Sequence, residues 1–149
     1  MSALVLRPAR STDAGKTAAI LSGFIDETDW MPRIHTRAED VSFTADMIDR
    51  GWVTVAEQAG VVIGFCARDD EEVHALYVGS KARGQGCGAR LLADMQDATD
   101  SLTLWTFQAN TRAQAFYTRH GFVEVERTDG ARNDEGLPDI RYIWKRGMT

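Results

Sequence analysis

The sequence predicts a mixed α/β domain in which helices pack on the faces of one sheet. Runs rich in β-branched and aromatic residues alternate with helix-like runs along the chain. A strand-like run at 73–78 leads through alternate glycines, within 83–88, into a helix-like run at 89–95. The chain has 149 residues, enough for one sizeable core, so we expect a single domain over residues 1–149.

The first half of the chain is predicted to hold one strand, two helices and three antiparallel strands. Ser11 or Thr12 is placed to cap the first helix, and Thr36 and Glu39 have the spacing of a capping box. Ala-Gly at 59–60 marks a hairpin turn. The predicted elements are a strand over 4–8, a helix over about 13–27, a helix that follows the capping box and ends at Gly51, and strands over 52–58, 61–68 and 73–78.

The second half alternates helix and strand before a final strand pair. The predicted elements are a helix from 89, a strand over 102–107, a helix over 110–120 and strands over 122–127 and 140–145. The last two strands flank a polar, glycine-rich segment, 129–139. This segment is either a plain hairpin loop or a recognition loop carried on a rigid scaffold.

Composition narrows the class of protein. The net charge of −5 disfavours a generally basic nucleic-acid surface, and no apolar run approaches the length of a membrane span. The N-terminus resembles an opening strand and not a signal peptide. Cys66 and Cys87 are too few and too distant for a disulfide framework or a zinc site. We therefore expect a cytoplasmic protein with no metal and with neither a nucleic-acid nor a membrane partner.

The glycine turn at 83–88 has the features of a phosphate-binding cradle. Alternate glycines remove side chains from the turn, so backbone N–H groups can converge on an anion at the start of a helix. Arg83 adds a cation. The dinucleotide fingerprint does not fit, because Ala89 stands where its last glycine would fall. Gly-Lys-Thr at 15–17 imitates a P-loop, but Arg10 occupies the place of its first glycine.

Two signatures in this order resemble the GCN5-related N-acetyltransferases (GNAT family). Arg83-x-x-Gly86-x-Gly88 is similar to the family's pyrophosphate motif, and Leu76-Tyr77-Val78 precedes it like the end of the family's central strand. Downstream, Asn110-x-x-Ala113-x-x-Phe116-Tyr117-x-x-x-Gly121-Phe122 is similar to the helix that runs beside the cofactor's pantetheine arm.

The resemblance implies a fold and a co-substrate. The implied fold is a mostly antiparallel, seven-stranded sheet with four helices, whose central strands splay around acetyl-CoA. The pantetheine arm then adds to the central strand as a surrogate strand. The implied cofactor-binding residues are Leu76, Tyr77, Val78, Arg83, Gly84, Gln85, Gly86, Cys87, Gly88, Ala89, Asn110 and Tyr117.

Catalysis on such a site needs a base for the amine and an acid for the leaving thiolate. The resemblance places Glu72 and His74 near the thioester, and strand alternation puts both on one face with Leu76. Glu72 alternatively just ends an acidic turn, and His74 alternatively is a packed strand residue. Tyr117 is the candidate acid, with a core aromatic as its alternative. Free Cys87 is interpreted as a space-filler.

The implied activity is direct transfer of an acetyl group to a primary amine, with a small molecule as the preferred acceptor. The candidate acceptor-binding residues are Trp30, Met31, His35 and Glu72. The alternatives are acetylation of a protein lysine or N-terminus, and binding of acyl-CoA without turnover. The oligomeric state stays open, with a homodimer among the arrangements considered.

Overall fold

A computed structural model describes residues 3–147. These residues form one seven-stranded sheet in the order β1-β2-β3-β4-β5-β7-β6. The strands are β1 (Leu4–Pro8), β2 (Val53–Gln58), β3 (Val61–Asp69), β4 (Glu72–Val78), β5 (Ser101–Phe107), β6 (Val123–Thr128) and β7 (Asp139–Lys145). The helices are α1 (Ala14–Glu27), α2 (Arg37–Asp49), α3 (Cys87–Ala98) and α4 (Thr111–Arg119), beside single 3-10 turns at Ser11–Asp13 and Ser80–Ala82.

The expected fold class is confirmed. All neighbouring strands pair antiparallel except β4 and β5, which run parallel. The hairpin between β2 and β3 turns through Ala59 and Gly60, whose φ angles of 53° and 76° suit a tight turn. Residues 15–17, the P-loop imitation, lie within α1.

Local signals at the helix starts are partly right. At α2, the Thr36 hydroxyl accepts from the Glu39 N–H at 3.1 Å, and the Glu39 carboxylate accepts from the Thr36 N–H at 2.9 Å, which confirms the capping box. At α1, neither Ser11 nor Thr12 is the cap. They belong to a 3-10 turn that ends at Asp13, because the Asp13 carboxylate is held by the Arg7 guanidinium and the Arg10 N–H.

Helices cover both faces of the sheet, two on each face. One core layer joins α3 and α4 to the sheet through residues such as Leu91, Leu102 and Tyr117. The other joins α1 and α2 to β2, β3 and β4 through residues such as Leu21, Met47 and Phe65. No helix within residues 3–147 is long and apolar enough to cross a membrane.

A β-bulge in β4 changes which side chains share a face. Ala75 lies opposite Ala67 on β3, and Val73 lies opposite Arg68, so His74 is left without a partner. After the bulge, Leu76 and Val78 pack towards the α3 layer, whereas Tyr77 packs towards the α1 layer.

The parallel strands β4 and β5 separate almost at once. Their registered pairing is confined to Glu72 opposite Thr103, supported by the Thr103 N–H, which donates to the Glu71 carbonyl at 2.8 Å. Beyond this point the two strands diverge, as the resemblance implied. The sheet thus contains an opening between its halves.

Candidate active site

The opening between β4 and β5 is part of a long cleft of about 1060 Å³. The cleft runs from the glycine turn before α3, past α4, to the end of α1. Of the residues predicted for the site, those that line it are Trp30, His74, Leu76, Tyr77, Val78, Arg83, Gly84, Gly86, Cys87, Gly88, Ala89, Asn110 and Tyr117. Glu72, Gln85, Met31 and His35 are not among the lining residues.

Backbone groups of β4 point into the gap. The Gly79 N–H donates to the Ile63 carbonyl on β3 at 2.8 Å. Because backbone groups alternate direction along an antiparallel ladder, those of Val78 and Leu76 point away from β3 and towards β5. A bound extended chain can therefore bond to β4 as a strand would.

The glycine turn forms an anion cradle at the start of α3. Gly84 and Gly86 have φ angles of 79° and 84°, a region that favours glycine. Gly86 is the residue before α3, and the first intrahelical bond runs from the Arg90 N–H to the Gly86 carbonyl at 3.0 Å. The N–H groups of the first turn have no intrahelical partner, so they can bind phosphate.

Gly88 keeps a side chain out of the space between the start of α3 and the Phe116 ring of α4. A Cβ built there would lie 3.6 Å from the Phe116 ring and 3.7 Å from Val78, across the cleft. Any larger side chain would occupy this space. Gly88 has an ordinary helical backbone, so its importance is one of space and not of conformation.

The arginines that line the cleft are Arg83, Arg112 and Arg119. The Arg83 guanidinium lies 3.4 Å from the Glu27 carboxylate at the end of α1. Sequence reasoning missed Glu27 and the two arginines of α4. The Arg83–Glu27 contact joins segments far apart in the chain, so no local pattern could have revealed it.

Cys87 is a packed thiol. It is 2% exposed, and a Cβ on Gly64 would meet its Sγ at 2.9 Å. Burial raises the pKa of the thiol, with Arg90 opposing the effect. A thiol held in its protonated form is a poor nucleophile.

Helix α4 places Asn110 and Tyr117 on the cleft. The Asn110 carboxamide oxygen accepts from the Ala113 N–H at 3.1 Å and so caps the helix, which leaves the amide NH₂ for a ligand. Tyr117 is buried against Phe116, Phe122 and Tyr142. Burial raises the pKa of its phenol above the ordinary value, so the hydroxyl stays protonated and can donate.

His74 and Glu72 share one side of β4, but Leu76 does not share it with them. The expectation of a common face was wrong because the bulge at His74 shifts the alternation. The His74 ring stacks on Trp52 at 4.7 Å between centroids, and its Nε2 lies 4.0 Å from the Glu72 carboxylate. His74 reaches the cleft, whereas Glu72 stays at its exposed margin.

The far end of the cleft is aromatic. The Trp30 ring lies 5.7 Å from that of Phe107 and 6.3 Å from that of Phe24, and Phe24 lies 5.3 Å from Tyr77. Sequence reasoning found Trp30 but missed Phe24 and Phe107, which arrive from α1 and β5. The ring contacts between them are entirely tertiary.

The linker at 28–36 between α1 and α2 carries Trp30 and is held by Arg33. The Arg33 guanidinium donates to Asp26 at 2.9 Å and to buried Asp40 at 3.0 Å. Met31 and His35, on the same linker, do not line the cleft. His35 instead lies 3.7 Å from Glu39 and 3.8 Å from Asp134 of the 129–139 segment.

Comparison with known proteins agrees with this geometry. A family model described as "Acetyltransferase (GNAT) domain" matches residues 49–124. The chain is 30% identical over 142 residues to a peptidyl-lysine N-acetyltransferase, YjaB, of Salmonella typhimurium, covering 93% of this chain and 97% of that enzyme. It is 34% identical over 97 residues to a 5-NmdU N-acetyltransferase of Pseudomonas phage PaMx11, covering 60% of this chain and 67% of that enzyme.

A solved structure shows the same fold. That of yncA from Salmonella typhimurium, determined with its cofactor acetyl-CoA, has a TM-score of 0.76 at 19% identity, and the likeness covers 97% of this chain and 94% of that one. The cradle, the strand opening and the buried tyrosine are features that suit such a thioester. The chain therefore belongs to the GNAT family and is an acetyl-CoA-dependent N-acetyltransferase.

Proposed function

We propose that the protein transfers an acetyl group directly from acetyl-CoA to the primary amine of a small molecule. One observation supports this most: a single cleft joins the anion cradle, the gap in the sheet and an aromatic chamber, with His74 and Tyr117 both on its wall. Direct transfer requires both substrates to meet in one site, held in orientation.

The residues divide the chemistry between them. His74 takes the proton of the amine, directly or through water, while Glu72 stabilises the imidazolium that forms. Trp52 keeps the imidazole plane in place by stacking. The Leu76 N–H polarises the thioester carbonyl, and Tyr117 gives its proton to the departing thiolate.

The acceptor is proposed to carry its ammonium on an apolar stem. The rings of Phe24, Trp30 and Phe107 offer an apolar wall and π faces that attract cations. Asp29, next to Trp30 in the chain, also lines the cleft, and a carboxylate there favours a cation over an anion. The contact between His35 and Asp134 links the linker to the 129–139 segment.

A second candidate is a lysine side chain of a protein. The 30% identity to a peptidyl-lysine N-acetyltransferase over nearly the whole chain favours it. A lysine is itself an ammonium on an apolar stem, so the same aromatic wall suits it.

The test is an assay of CoA release with acetyl-CoA and a panel of acceptors. The panel holds aliphatic and aromatic amines, peptides with an internal lysine and peptides with a free N-terminus, and mass spectrometry locates the acetyl group. We expect the highest kcat/KM for a small amine. A lysyl peptide that exceeds every small amine supports the second candidate, and no release with any acceptor despite acetyl-CoA binding supports binding without turnover.

A further inference from the structure

Thr106 on β5 carries a buried hydroxyl that the fold itself does not use. The residue is 7% exposed and lines the cleft. Its Oγ1 is the single buried side-chain polar atom within residues 3–147 that has no hydrogen-bond partner. Burying a hydroxyl without a partner destabilises a protein, so such an atom calls for an explanation.

Other threonines show that the fold otherwise satisfies buried hydroxyls. The buried Thr17 hydroxyl bonds to the Asp13 and Ala14 carbonyls, and that of Thr44 bonds to the Ala14 and Val41 carbonyls. On β5 itself, the Thr103 hydroxyl accepts from Arg141 Nε at 2.9 Å. The hydroxyl without a partner thus belongs to a residue that lines the cleft, whereas these other threonine hydroxyls have partners.

The position of Thr106 indicates that it faces the cofactor and not the acceptor amine. Pairing between β4 and β5 is confined to Thr103, three residues earlier, so Thr106 stands on the wall of the open gap. It alternates with Phe107, whose ring contacts Trp30 in the aromatic chamber, and it shares its face with Leu104 in the core layer of α3 and α4. Thr106 therefore faces the side from which the cradle and Tyr117 approach the gap, away from the acceptor chamber.

We propose that Thr106 positions the cofactor: its side chain turns about χ1 when the ligand enters the gap, and its shielded Oγ1 then donates a hydrogen bond to a carbonyl oxygen of the acyl-pantetheine arm of acetyl-CoA. The arm is an amide-rich chain that ends in a thioester, and in the gap it would pass the Thr106 hydroxyl, which has no partner in the protein. Binding gives that hydroxyl a hydrogen-bond partner. The free-energy penalty that the unpaired hydroxyl imposes on the free protein is then relieved, which strengthens the binding of the arm. This role depends on acetyl-CoA binding in the cleft and not on which amine accepts the acetyl group.

The test compares Thr106→Val with Thr103→Val. Valine keeps the shape of threonine and removes the hydroxyl, so Thr106→Val should leave the melting temperature of the free protein unchanged or higher. Its Kd for acetyl-CoA, measured by calorimetric titration, should rise about threefold to tenfold. Thr106→Ser should restore the affinity. Thr103→Val, which loses the bond from Arg141, should lower the melting temperature and leave the Kd unchanged.

Two further probes separate the arm from the rest of the ligand. Adenosine 3′,5′-bisphosphate lacks the arm, and its Kd should be the same for the wild type and Thr106→Val. An unchanged Kd for acetyl-CoA in Thr106→Val overturns the proposal, and so does an equal loss of affinity for the bisphosphate. A rise confined to the KM of the amine also overturns it, because the hydroxyl would then face the acceptor.

Discussion

At the scale of single residues, the Tyr117 hydroxyl combines burial with access to the cleft. We expect Tyr117→Phe to lower kcat about tenfold to a thousandfold, because the leaving thiolate loses its proton donor. The Kd for acetyl-CoA should change little, since the ring contacts remain. The raised pKa of the phenol means that its loss of a proton limits the rate only at strongly alkaline pH. Single-turnover kinetics check the prediction, and a wild-type rate constant for chemistry would contradict it.

His74 Nε2 lies 4.0 Å from the Glu72 carboxylate, so the two residues should act together in removing the proton of the amine. We expect His74→Gln to flatten the rise of kcat/KM with pH, because the base that accepts the amine proton is gone. Glu72→Gln should have a smaller effect of the same kind, and the double variant should be little worse than His74→Gln alone. The measurement needs an amine of known pKa as substrate. Strictly additive effects would show that the two groups work separately.

At the scale of elements, the order of strands and helices followed from the sequence because local signals mark most of their ends. The capping box at Thr36 and the turn at 59–60 depend on neighbouring residues only, and both were predicted. The bulge at His74 depends on how β4 registers against β3, which no local pattern reveals. For that reason the predicted common face of Glu72, His74 and Leu76 failed.

The site was predicted in the same uneven way. The cradle lies within six consecutive residues, so its glycines could be found directly. The acceptor chamber is assembled from α1, the linker and β5, and only Trp30 among its aromatic residues was found. Met31 and His35 are close to Trp30 in sequence, but Arg33 anchors the linker between them and neither lines the cleft.

The cradle can be tested with Gly88→Val. The new side chain would project towards Phe116 and Val78, into the space that the ligand needs, and should weaken acetyl-CoA binding at least tenfold without strain at φ. Gly15→Val is the matched control, because it also adds a side chain in the first turns of a helix, where nothing lies within 4 Å. Calorimetry checks the affinities. Equal affinities for the two variants would remove Gly88 from the cradle.

The linker can be tested with Arg33→Met. Loss of the Arg33 guanidinium leaves buried Asp40 without a cation and frees the segment that carries Trp30. We therefore expect the KM of the amine to rise several-fold, while the Kd for acetyl-CoA stays the same. Arg37→Met is the control, since Arg37 also pairs with Asp26 but remains on the surface. Steady-state kinetics with varied amine distinguish them. The same KM in both variants would show that the Arg33–Asp40 ion pair does not hold the linker in the position that amine binding needs.

At the scale of the whole molecule, one buried ion pair makes stability depend on pH. The Arg7 guanidinium, opposed by burial, lowers the pKa of Asp13 to about 2 from the ordinary 3.8. A lowered pKa contributes stability above the unfolded value, and this contribution is lost as the pH falls from about 4 towards 2. Arg7→Met should therefore cost about 2 kcal/mol near neutrality and less at pH 3. Urea unfolding of the wild type and Arg7→Met at pH 6 and pH 3 measures the loss of unfolding free energy at each pH. A loss that is as large at pH 3 as at pH 6 would contradict the role given to the Arg7–Asp13 pair.

The early separation of β4 from β5 has a consequence for the life of the protein in a cell. Main-chain groups of Leu76 and Val78 face the gap where a neighbouring strand would otherwise bond to them, so an extended ligand arm bound there would complete the sheet. Acetyl-CoA thus acts as a ligand of the folded state alone, and at a hundred times its Kd it adds about 2.7 kcal/mol to the free energy of unfolding. The resistance of the enzyme to proteases should therefore increase with the concentration of acetyl-CoA. The amount of enzyme in the cell should then follow the supply of its own co-substrate.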